Sequence, residues 1–311
     1  MKPRHTAGAG VWQGGRVQTD GLIVVDKPGG MTSHDVVARI RRLARTRRVG
    51  HGGTLDPMAT GVLVIGVNRA TRLLTYVIGS EKRYAATIRL GEATVTDDAE
   101  GDVTARVPAD GVQDAAIRAG LAVQTGEIDQ VPSAVSAIKI NGERAYKRVR
   151  DGEQVELPAR RITVHRLEVL DIRRPEDAPV IDVDVDVTCS SGTYIRAIAR
   201  DLGAALGVGG HLTALRRTAV GGLTLGEAAT LEQLEERAPD VVGLPMADAA
   251  RRAFPQRTAT VEEARVLSHG GPLEAVGISG PYAVFDPAGD VLAIVSERGG
   301  RAKPEIVLAP A

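Results

Sequence analysis

The pattern of apolar and polar positions first indicates a strand and a helix near the start of the chain. Residues 22–25 form a short apolar run that closes on the turn-forming residues 26–30, which is typical of a buried strand entering a turn. Thr32 and Asp35 have the spacing of a capping box, so a helix is predicted to begin there. Its apolar stripe recurs at Val36, Ile40 and Leu43, with arginines on the other faces.

Strand patterns dominate the middle of the chain. Residues 62–67 are continuously apolar and predict a buried strand. Residues 84–90 and 181–187 alternate between apolar and polar, as half-buried strands do, and the aspartates of the second run are expected to face water. A helix is then predicted from Tyr194 to Leu206, ending at Gly207.

The two ends of the chain differ from the middle. Residues 1–20 are rich in glycine and charge and are interpreted as a flexible tail. Residues 237–257 contain three prolines and little periodicity, which indicates a crossing between two domains. We therefore predict a large domain over residues 21–245 and a small one over residues 256–310, both of mixed α and β structure.

The small domain is predicted to contain a helix and a strand hairpin. A helix is expected over residues 260–267, where Gly270 follows its last turn. Residues 282–285 and 291–295 are apolar runs joined by a turn sequence, so they are expected to pair as a hairpin.

Composition places the chain among ordinary globular proteins. It has 311 residues, of which 43% are apolar, enough for a large core. No apolar run reaches the roughly 18 residues of a membrane span, and no signal peptide is visible, so no membrane association is expected. The single cysteine, Cys189, excludes an internal disulfide framework and favours a cytoplasmic location.

Charge is unevenly distributed although the formal net charge is zero. Residues 1–95 contain 15 Lys and Arg against 6 Asp and Glu, which leaves 24 against 33 for the remainder. Six of the arginines lie between Arg39 and Arg48. Such a basic stretch either forms a footprint for a polyanion or is simply a solvated helix face.

Candidate chemistry concentrates first in the loop of residues 50–61. It combines His51 and Asp56 with four glycines, and Pro57 biases Asp56 away from helical geometry. The loop either presents a carboxylate to a ligand or is a structural turn in which Asp56 bonds its own backbone. A presented carboxylate can act as a nucleophile or general base. No second carboxylate accompanies it in the segment, which disfavours a glycosidase.

A second candidate cluster lies at residues 189–196, where a strand passes into a helix. Arg196 can meet Asp56 there, and a nearby cation would lower the pKa of the carboxyl group. The alternative is that Arg196 is a surface residue and Tyr194 a core residue. Tyr84 follows the cations Lys82 and Arg83 at the start of a strand, so it either stacks on an exposed base or packs in the core. The same two alternatives apply to Tyr146.

Together these segments resemble the bacterial tRNA pseudouridine synthases of the TruB class, which isomerise uridine 55 in the T loop. The resemblance covers residues 21–310, and its most specific part is the sequence Gly-His-Gly-Gly-Thr-Leu-Asp-Pro at residues 50–57. Supporting matches lie at residues 26–28, 82–84, 192–196 and 215–217, in the family's order and spacing.

The resemblance implies a role for each matching residue. Asp56 matches the catalytic aspartate, Arg196 the arginine that pairs with it, and Tyr84 the tyrosine that stacks on the target base. His51 is expected to fill the space that the extruded nucleotide leaves. Other expected contacts to substrate or RNA, among them the acidic residue that supports the arginine, are Asp98, Leu215, Lys27, Tyr194 and Arg217.

The resemblance also implies an architecture and partners. It predicts an α+β catalytic domain built on a mixed, mainly antiparallel sheet with flanking helices, followed by a small PUA-like β-rich domain. An insertion at about residues 130–160 is expected to bind the T arm. The expected partner is tRNA, with no metal, no cofactor and no obligatory protein partner, and the protein is expected to act as a monomer. A tRNA-folding chaperone is the competing hypothesis.

Overall fold

The computed structural model describes residues 19–133 and 157–311, together with the backbone of two short strands at 139–140 and 143–144. The predicted tail falls outside these residues except for its last two. Most of the expected T-arm insertion, including Tyr146, also lies outside them.

A large mixed sheet forms the centre of the molecule. The strands of this sheet are β1 (Gly21–Lys27), β2 (Val49–His51), β3 (Thr60–Val67), β4 (Lys82–Leu90), β7 (Gly126–Gln130), β10 (Arg160–Arg173), β11 (Ile181–Cys189), β12 (Gly210–Val220), β13 (Leu223–Thr224) and β14 (Leu244–Pro245). Their order in the sheet is β14-β1-β3-β12-β4-β11-β10-β7, and β2 also pairs with β3 and β13 with β12. Two small hairpins complete this part, β5 (Glu92–Thr94) with β6 (Val103–Arg106) and β8 (Lys139–Ile140) with β9 (Glu143–Arg144).

Strand direction confirms the predicted sheet type. Within the described sheet only β12 and β3 run parallel, and every other pair is antiparallel. The three longest predicted strands are present as β3, β4 and β11, where inward apolar residues alternate with half-buried polar ones along β4 and β11. The chain is therefore an α+β protein with a largely antiparallel sheet.

The aspartates of β11 do not simply face water, as the alternation had suggested. Asp182 forms a bidentate pair with Arg89 at 2.8 Å, and Asp184 accepts a hydrogen bond from Thr87 at 2.7 Å. Both aspartates are half buried. Their partners lie directly opposite on β4, so the polar face of the central strands is held together by cross-strand pairs.

Helices flank this sheet. Their bounds are α1 (Ser33–Leu43), α2 (Leu74–Gly79), α3 (Asp114–Val123), α4 (Ile195–Ala205), α5 (Leu231–Arg237) and α6 (Met246–Ala253). A further helix, α7 (Val261–Ser268), belongs to the C-terminal part of the chain. The capping box predicted at Thr32 and Asp35 is confirmed. Helix α1 ends earlier than the run of arginines, so Arg45, Arg47 and Arg48 lie in the loop that follows. The basic stretch is thus half helix and half loop.

A second sheet is formed by the C-terminal part of the chain. Its order is β15-β17-β18-β19-β16, and its strands are β15 (Gln256–Thr258), β16 (Leu273–Glu274), β17 (Tyr282–Phe285), β18 (Val291–Arg298) and β19 (Arg301–Val307). The predicted hairpin is present as β17 and β18. Helix α7 packs on this sheet and begins at the N-cap Thr260, as predicted.

The segment of residues 237–257 is more than a crossing, which corrects the sequence interpretation. It contains β14, which pairs with β1, and the amphipathic helix α6. Helix α6 buries Met246, Ala249 and Ala250 in a core shared by the large sheet and the C-terminal sheet. The sequence pattern did not predict this helix, because it spans only eight residues, too few to show a clear period, and lies among prolines. No helix in the described part of the chain is long and apolar enough to cross a membrane.

Candidate active site

Three segments of the chain meet around a cleft of about 320 Å³ beside the central strands. They are the loop of residues 53–56 before β3, the end of α2 with the start of β4, and the turn of residues 191–196 that leads into α4. Leu215 and Arg217 of β12 complete the lining. The two clusters singled out in the sequence therefore lie on one cleft, although about 140 residues separate them.

Asp56 and Arg196 form an ion pair in this cleft. Nε of Arg196 lies 3.1 Å from Oδ2 of Asp56. The Asp56 side chain remains 36% exposed, whereas that of Arg196 is 5% exposed. The second arm of the same guanidinium lies 3.3 Å from Oδ2 of Asp98 and donates to the carbonyl of Thr96 at 2.9 Å. Arg196 therefore contacts the buried Asp98 through one terminal nitrogen and Asp56 through Nε.

Asp98, rather than its neighbour Asp97, supports the arginine. Oδ1 of Asp98 accepts hydrogen bonds from the Thr96 hydroxyl and from the backbone N–H of Glu100 at 3.0 Å. Asp97 instead accepts from Ser133 at 2.6 Å and lies 3.6 Å from Arg200. A second carboxylate therefore does lie near Asp56, which the search of the local sequence missed. With its side chain only 3% exposed and its oxygens occupied, Asp98 is placed to orient Arg196 and not to donate a proton to a substrate.

Arg196 lowers the pKa of Asp56, as expected from an adjacent cation, but a larger effect of burial opposes it. Burial raises the pKa of Asp56 above its ordinary value, and the guanidinium of Arg196 only partly opposes this. The negative charge of Asp98 raises it further. A carboxylate whose charged form is poorly solvated is a better base and nucleophile than one in water, and such perturbed groups concentrate at functional sites.

The backbone around Asp56 is fixed on both sides. The buried Ser33 hydroxyl accepts a hydrogen bond from the N–H of Leu55 at 2.9 Å and donates to its carbonyl at 3.1 Å. On the other side, the carbonyl of Pro57 accepts from the N–H of Gly30 at 2.9 Å and from Nζ of Lys27 at 3.1 Å. The predicted loop therefore does present its carboxylate, because other segments satisfy the backbone groups on each side of it.

Lys27 serves this loop and does not face the cleft, which corrects its expected contact with RNA. Its side chain is fully buried, and Nζ donates to the carbonyls of Pro28, Met31 and Pro57. These three bonds use every donor of the ammonium group. Burial lowers the pKa of Lys27 to about 8. Lys27 is a positioning residue that ties the end of β1 to the Asp56 loop.

Tyr84 and Arg217 form the floor of the cleft. Tyr84 is almost completely buried on β4, directly opposite Arg217 on β12. The guanidinium of Arg217 donates to Val62 at 2.7 Å and to Gly53 at 3.1 Å. On its other side Arg217 pairs with Gly61, where any Cβ atom would lie 2.2 Å from the Arg217 carbonyl, so only glycine allows this close approach.

Burial constrains how Tyr84 and Arg217 can act. Burial is also the main reason why the pKa of the Tyr84 hydroxyl is raised, so the ring remains neutral. Arg217 is 1% exposed and donates hydrogen bonds to the carbonyls of Val62 and Gly53, so its contacts in this structure are to the protein. Its contacts join the Asp56 loop to the strand that carries Tyr84.

Tyr194 and Leu215 line the cleft at its wall. Tyr194 is half buried and forms the N-cap of α4. Its backbone is held from both directions by the buried Gln130, whose side chain accepts from the Tyr194 N–H at 2.9 Å and donates to its carbonyl at 3.1 Å. Leu215 lies on β12 opposite Ala86. Both residues line the same cleft as Asp56 and Tyr84.

His51 lies apart from these residues. It ends β2 and is not among the residues that line the cleft in the described structure. Its ring meets that of His34 edge to face, with centroids 5.4 Å apart. Nδ1 of His51 is buried and has no hydrogen-bond partner among the described residues. Burial, and then the nearby His34, lower its pKa, which favours the neutral ring.

Sequence reasoning missed three residues that shape the site. They are Ser33, Gln130 and Ile78, which carry no motif of their own. Ser33 and Gln130 act through contacts distant in sequence, and Ile78 through an exposure that only the fold reveals. Lys82 begins the Lys-Arg-Tyr match, but no individual role was predicted for it. Its side chain is buried, with the amine on backbone carbonyls.

A mixed sheet with a carboxylate, a buried arginine and a tyrosine on one cleft defines the class of protein. Among solved structures, the chain is similar to that of an archaeal box H/ACA sRNP Nop10-Cbf5 complex, with a TM-score of 0.68 and 26% identity, covering 94% of this chain and 87% of that one. A Cbf5-Nop10-Gar1 complex aligns with a TM-score of 0.70 and 27% identity, covering 93% and 85%. The fold is that of a pseudouridine synthase.

Sequence comparisons identify the family within that class. A family model described as TruB family pseudouridylate synthase, N-terminal domain, matches residues 41–195. Two C-terminal models, tRNA pseudouridylate synthase B C-terminal domain and tRNA Pseudouridine synthase II, C terminal, match residues 196–240 and 254–309. A relative from Arthrobacter sp. named tRNA pseudouridine synthase B is 58% identical, covering 93% of this chain and 97% of the relative. A relative of the same name from Thermobifida fusca is 57% identical, covering 93% and 99%. The chain belongs to the TruB family of pseudouridylate synthases.

Proposed function

We propose that this protein isomerises uridine 55 in the T loop of tRNA to pseudouridine, with Asp56 as its catalytic carboxylate. The observation that carries the proposal is the 3.1 Å pair between Asp56 and the buried Arg196, open to a cleft whose floor is Tyr84. The names of the relatives support tRNA as the substrate, because they are tRNA pseudouridine synthases matched over nearly their full length.

The target uridine must leave the folded loop before its glycosidic bond can be reached. Stacking of a base on an aromatic ring contributes about 1 to 3 kcal/mol, which offsets part of the cost of extrusion. Tyr84 supplies that ring, and Leu215 supplies an apolar wall beside it. His51, which lies next to the Asp56 loop, is proposed to fill the gap that the nucleotide leaves.

With the base extruded, the Asp56 carboxylate promotes cleavage of the bond between N1 and C1′. The uracil turns within the cleft, and C5 then joins C1′. The C5 hydrogen leaves and N1 takes up a proton, so substrate and product are isomers. Arg196 acts as a positioning residue by holding the Asp56 carboxylate toward the cleft.

Phosphate contacts are proposed for the exposed arginines after and at the end of α1. No acidic side chain lies within ion-pair distance of Arg42, Arg45, Arg47 or Arg48 in the described part of the chain. By contrast, Arg39 pairs with Glu235, and Arg41 donates to the carbonyl of Val49 at 3.1 Å. Four free cations in one segment favour a polyanion footprint over a face of internal salt bridges.

We further propose a division of the chain between these roles. Residues 21–245 form the catalytic unit, the insertion at about residues 130–160 binds the T arm, and the C-terminal unit of residues 256–310 is PUA-like and binds RNA. The C-terminal family match over residues 254–309 supports this boundary. The reaction is expected in the cytoplasm, where the protein acts as a monomer.

Replacement of Asp56 by Asn tests the assignment. The variant keeps the shape of the side chain and loses its charge, so we expect a folded protein that binds an unmodified T-arm stem-loop with wild-type affinity and forms no pseudouridine. Filter binding measures affinity, and mapping of pseudouridine by reverse transcription measures the product and its position. Normal product formation by Asp56→Asn would refute the catalytic role, and product at another uridine would refute the specificity.

The same variant separates catalysis from a chaperone role. A strain in which Asp56→Asn replaces the wild-type gene is expected to lack pseudouridine in the T loop. Growth that equals that of the wild type under folding stress would show that binding alone supplies a function. Growth that equals that of a deletion strain would show that modification supplies it.

A further inference from the structure

An apolar side chain stands exposed at the cleft without a protein partner to cover it. Ile78, the fifth residue of α2, is 46% exposed and lines the cleft together with Asp56, Tyr84 and Leu215. Nine other large apolar residues are exposed in the described structure, among them Val123 and Leu170, and none of them is in the cleft lining. Single exposed apolar residues on an open surface are ordinary, but one in a substrate cleft is placed to be covered by a ligand.

The backbone of Ile78 is fixed in advance. Nζ of the buried Lys82 donates to the carbonyl of Ile78 at 2.8 Å and to that of Ser80 at 2.7 Å. These bonds satisfy carbonyls that the end of a helix leaves free. The turn that contains Ile78 also packs against the Asp56 loop, because a Cβ atom on Gly52 would lie 2.8 Å from the Val77 side chain. A buried lysine therefore holds Ile78 in place next to the catalytic loop.

We propose that Ile78 is a specificity-determining contact that packs against the base of the extruded nucleotide, an inference that rests on the proposed function. Tyr84 lies on the cleft floor, whereas Ile78 lies at an exposed edge of the lining, so a base that enters the cleft covers Ile78 as well as reaching the tyrosine. Aliphatic side chains, isoleucine among them, are used by other proteins as apolar contacts to unstacked bases. The contact carries no charge, so it adds to base recognition and not to phosphate affinity.

A hydrophobicity series at this position tests the proposal. Single-turnover pseudouridine formation is measured on an unmodified T-arm stem-loop over a range of enzyme concentrations for Ile78→Leu, Ile78→Ala and Ile78→Asp. We expect the half-saturating concentration to stay within about twofold of wild type for Leu, to rise about fivefold for Ala, and to rise more than about twentyfold for Asp. The maximal rate at saturation is expected to change much less. Val123→Ala and Val123→Asp are the matched controls, because Val123 is also exposed and lies outside the cleft lining.

A second measurement identifies the base as the group that Ile78 contacts. Binding is compared between the uridine stem-loop and one that is abasic at the target position. The loss of affinity caused by Ile78→Ala is expected with the uridine stem-loop and not with the abasic one. Equal losses on both RNAs would show that Ile78 contacts the backbone or supports the fold, and would overturn the proposal.

The remaining outcomes are also decisive. Unchanged half-saturation for Ile78→Asp, or an effect no larger than that of Val123→Asp, would overturn the contact while leaving the proposed reaction intact. A wild-type protein that forms no pseudouridine on the stem-loop would sink the proposed reaction, and the Ile78 contact would then be decided by the two binding measurements alone. Thermal midpoints within about 2 °C of wild type are expected for the whole series, because the side chain is half exposed.

Discussion

Arg196 lies between two carboxylates, Asp56 in the cleft and the buried Asp98, and both Arg196 and Asp98 affect the pKa of Asp56. Burial and Asp98 raise the pKa of Asp56, and Arg196 is the strongest of the groups that lower it, so removal of the guanidinium leaves only the weaker effects of Lys27 and Arg217 to oppose the rise. A reaction that needs the ionised carboxylate loses rate as the pH falls through that pKa. The acidic limb of the wild-type pH profile is therefore expected above the range of an ordinary aspartate.

Replacement of Arg196 by Met is expected to move that acidic limb to higher pH. Arg196→Lys keeps a positive charge and is expected to leave the limb closer to its wild-type position while lowering the maximal rate. Single-turnover rates between pH 5 and 9 measure both effects, with Arg89→Met as the control because Arg89 pairs with Asp182 away from the cleft lining. A limb that does not move in Arg196→Met would contradict the electrostatic coupling.

Ser33 illustrates how one small residue positions the catalytic loop. Its hydroxyl serves both backbone groups of Leu55, the residue before Asp56. Ser33→Ala leaves a buried N–H and a buried carbonyl without their partner, a change that costs about 1 to 3 kcal/mol for each group that finds no replacement. We expect a lower thermal midpoint together with a reduced maximal rate and an unchanged affinity for RNA.

A positioning role of Ser33 is tested by comparing Ser33→Ala with a variant that lowers the free energy of unfolding by a similar amount but lies away from the Asp56 loop. Thr71→Ala removes a half-buried hydroxyl that donates to the Asn68 carbonyl at 2.8 Å, outside the cleft lining. If Ser33 acts on the Asp56 loop, its variant loses more rate than Thr71→Ala at the same loss of stability, as measured by denaturant unfolding. Equal rates at equal stability would leave Ser33 with a structural role only.

Helix α1 links the first turn of the fold to the site, because Ser33 is its first residue. The capping box at Thr32 fixes where the helix begins and so fixes where the Ser33 hydroxyl lies. Thr32→Ala is expected to cost about 1 kcal/mol, whereas Thr32→Ser keeps the capping oxygen and costs much less. Denaturant unfolding measures the difference. A loss of equal size in both variants would show that the methyl group, and not the cap, stabilises this turn.

Elements with strong periodicity were predictable from the sequence, and elements shaped by tertiary contacts were not. Strands β3, β4 and β11 and helices α1 and α4 show clear apolar patterns, and the structure contains them. Strand β10 runs for 14 residues with little alternation in its burial, since its partners β7 and β11 cover different parts of it. Helix α6 is short and lies among prolines, so only its packing between two sheets explains it.

The residues with catalytic chemistry in the site were predictable from the sequence, but the residues that position them were not. The motif around Asp56 and the cluster around Arg196 indicated two halves of one site, which the fold brings together. Lys27 and Arg217 belong to supporting matches of the same family, but the sequence does not reveal that both are buried with donors on carbonyls. A basic residue in a motif predicts a contact with an anion by default, and only burial distinguishes a backbone clamp from a phosphate ligand.

At the scale of the whole molecule, the two sheets are joined by a common core. Phe285 and Ile294 of the C-terminal sheet pack in the same cluster as Leu22 and Val64 of the large sheet. A hydrogen bond crosses the same boundary, because the Tyr76 hydroxyl donates to Glu305 at 2.8 Å. The Tyr76 ring also packs edge to face on Phe254, just before the C-terminal sheet. Helix α2 lies between this boundary and the cleft, because its Tyr76 contacts Glu305 while its Ile78 lines the cleft.

The shared core predicts that packing in the shared cluster stabilises both sheets, so its loss in the C-terminal sheet also weakens the large sheet. Phe285 is buried in the shared cluster and lies under the guanidinium of Arg251, 4.8 Å from the ring centroid. Phe285→Ala is expected to cost about 3 to 5 kcal/mol and to reduce hydrogen-exchange protection in β1 as well as in β17. Leu292→Ala is the matched control, because Leu292 packs in a cluster confined to the C-terminal part. Its loss of protection is expected to be concentrated in β17, β18 and β19. Two separate unfolding transitions in the wild-type protein, or unchanged protection of β1 in Phe285→Ala, would show that the C-terminal sheet is an independent unit that merely touches the catalytic one.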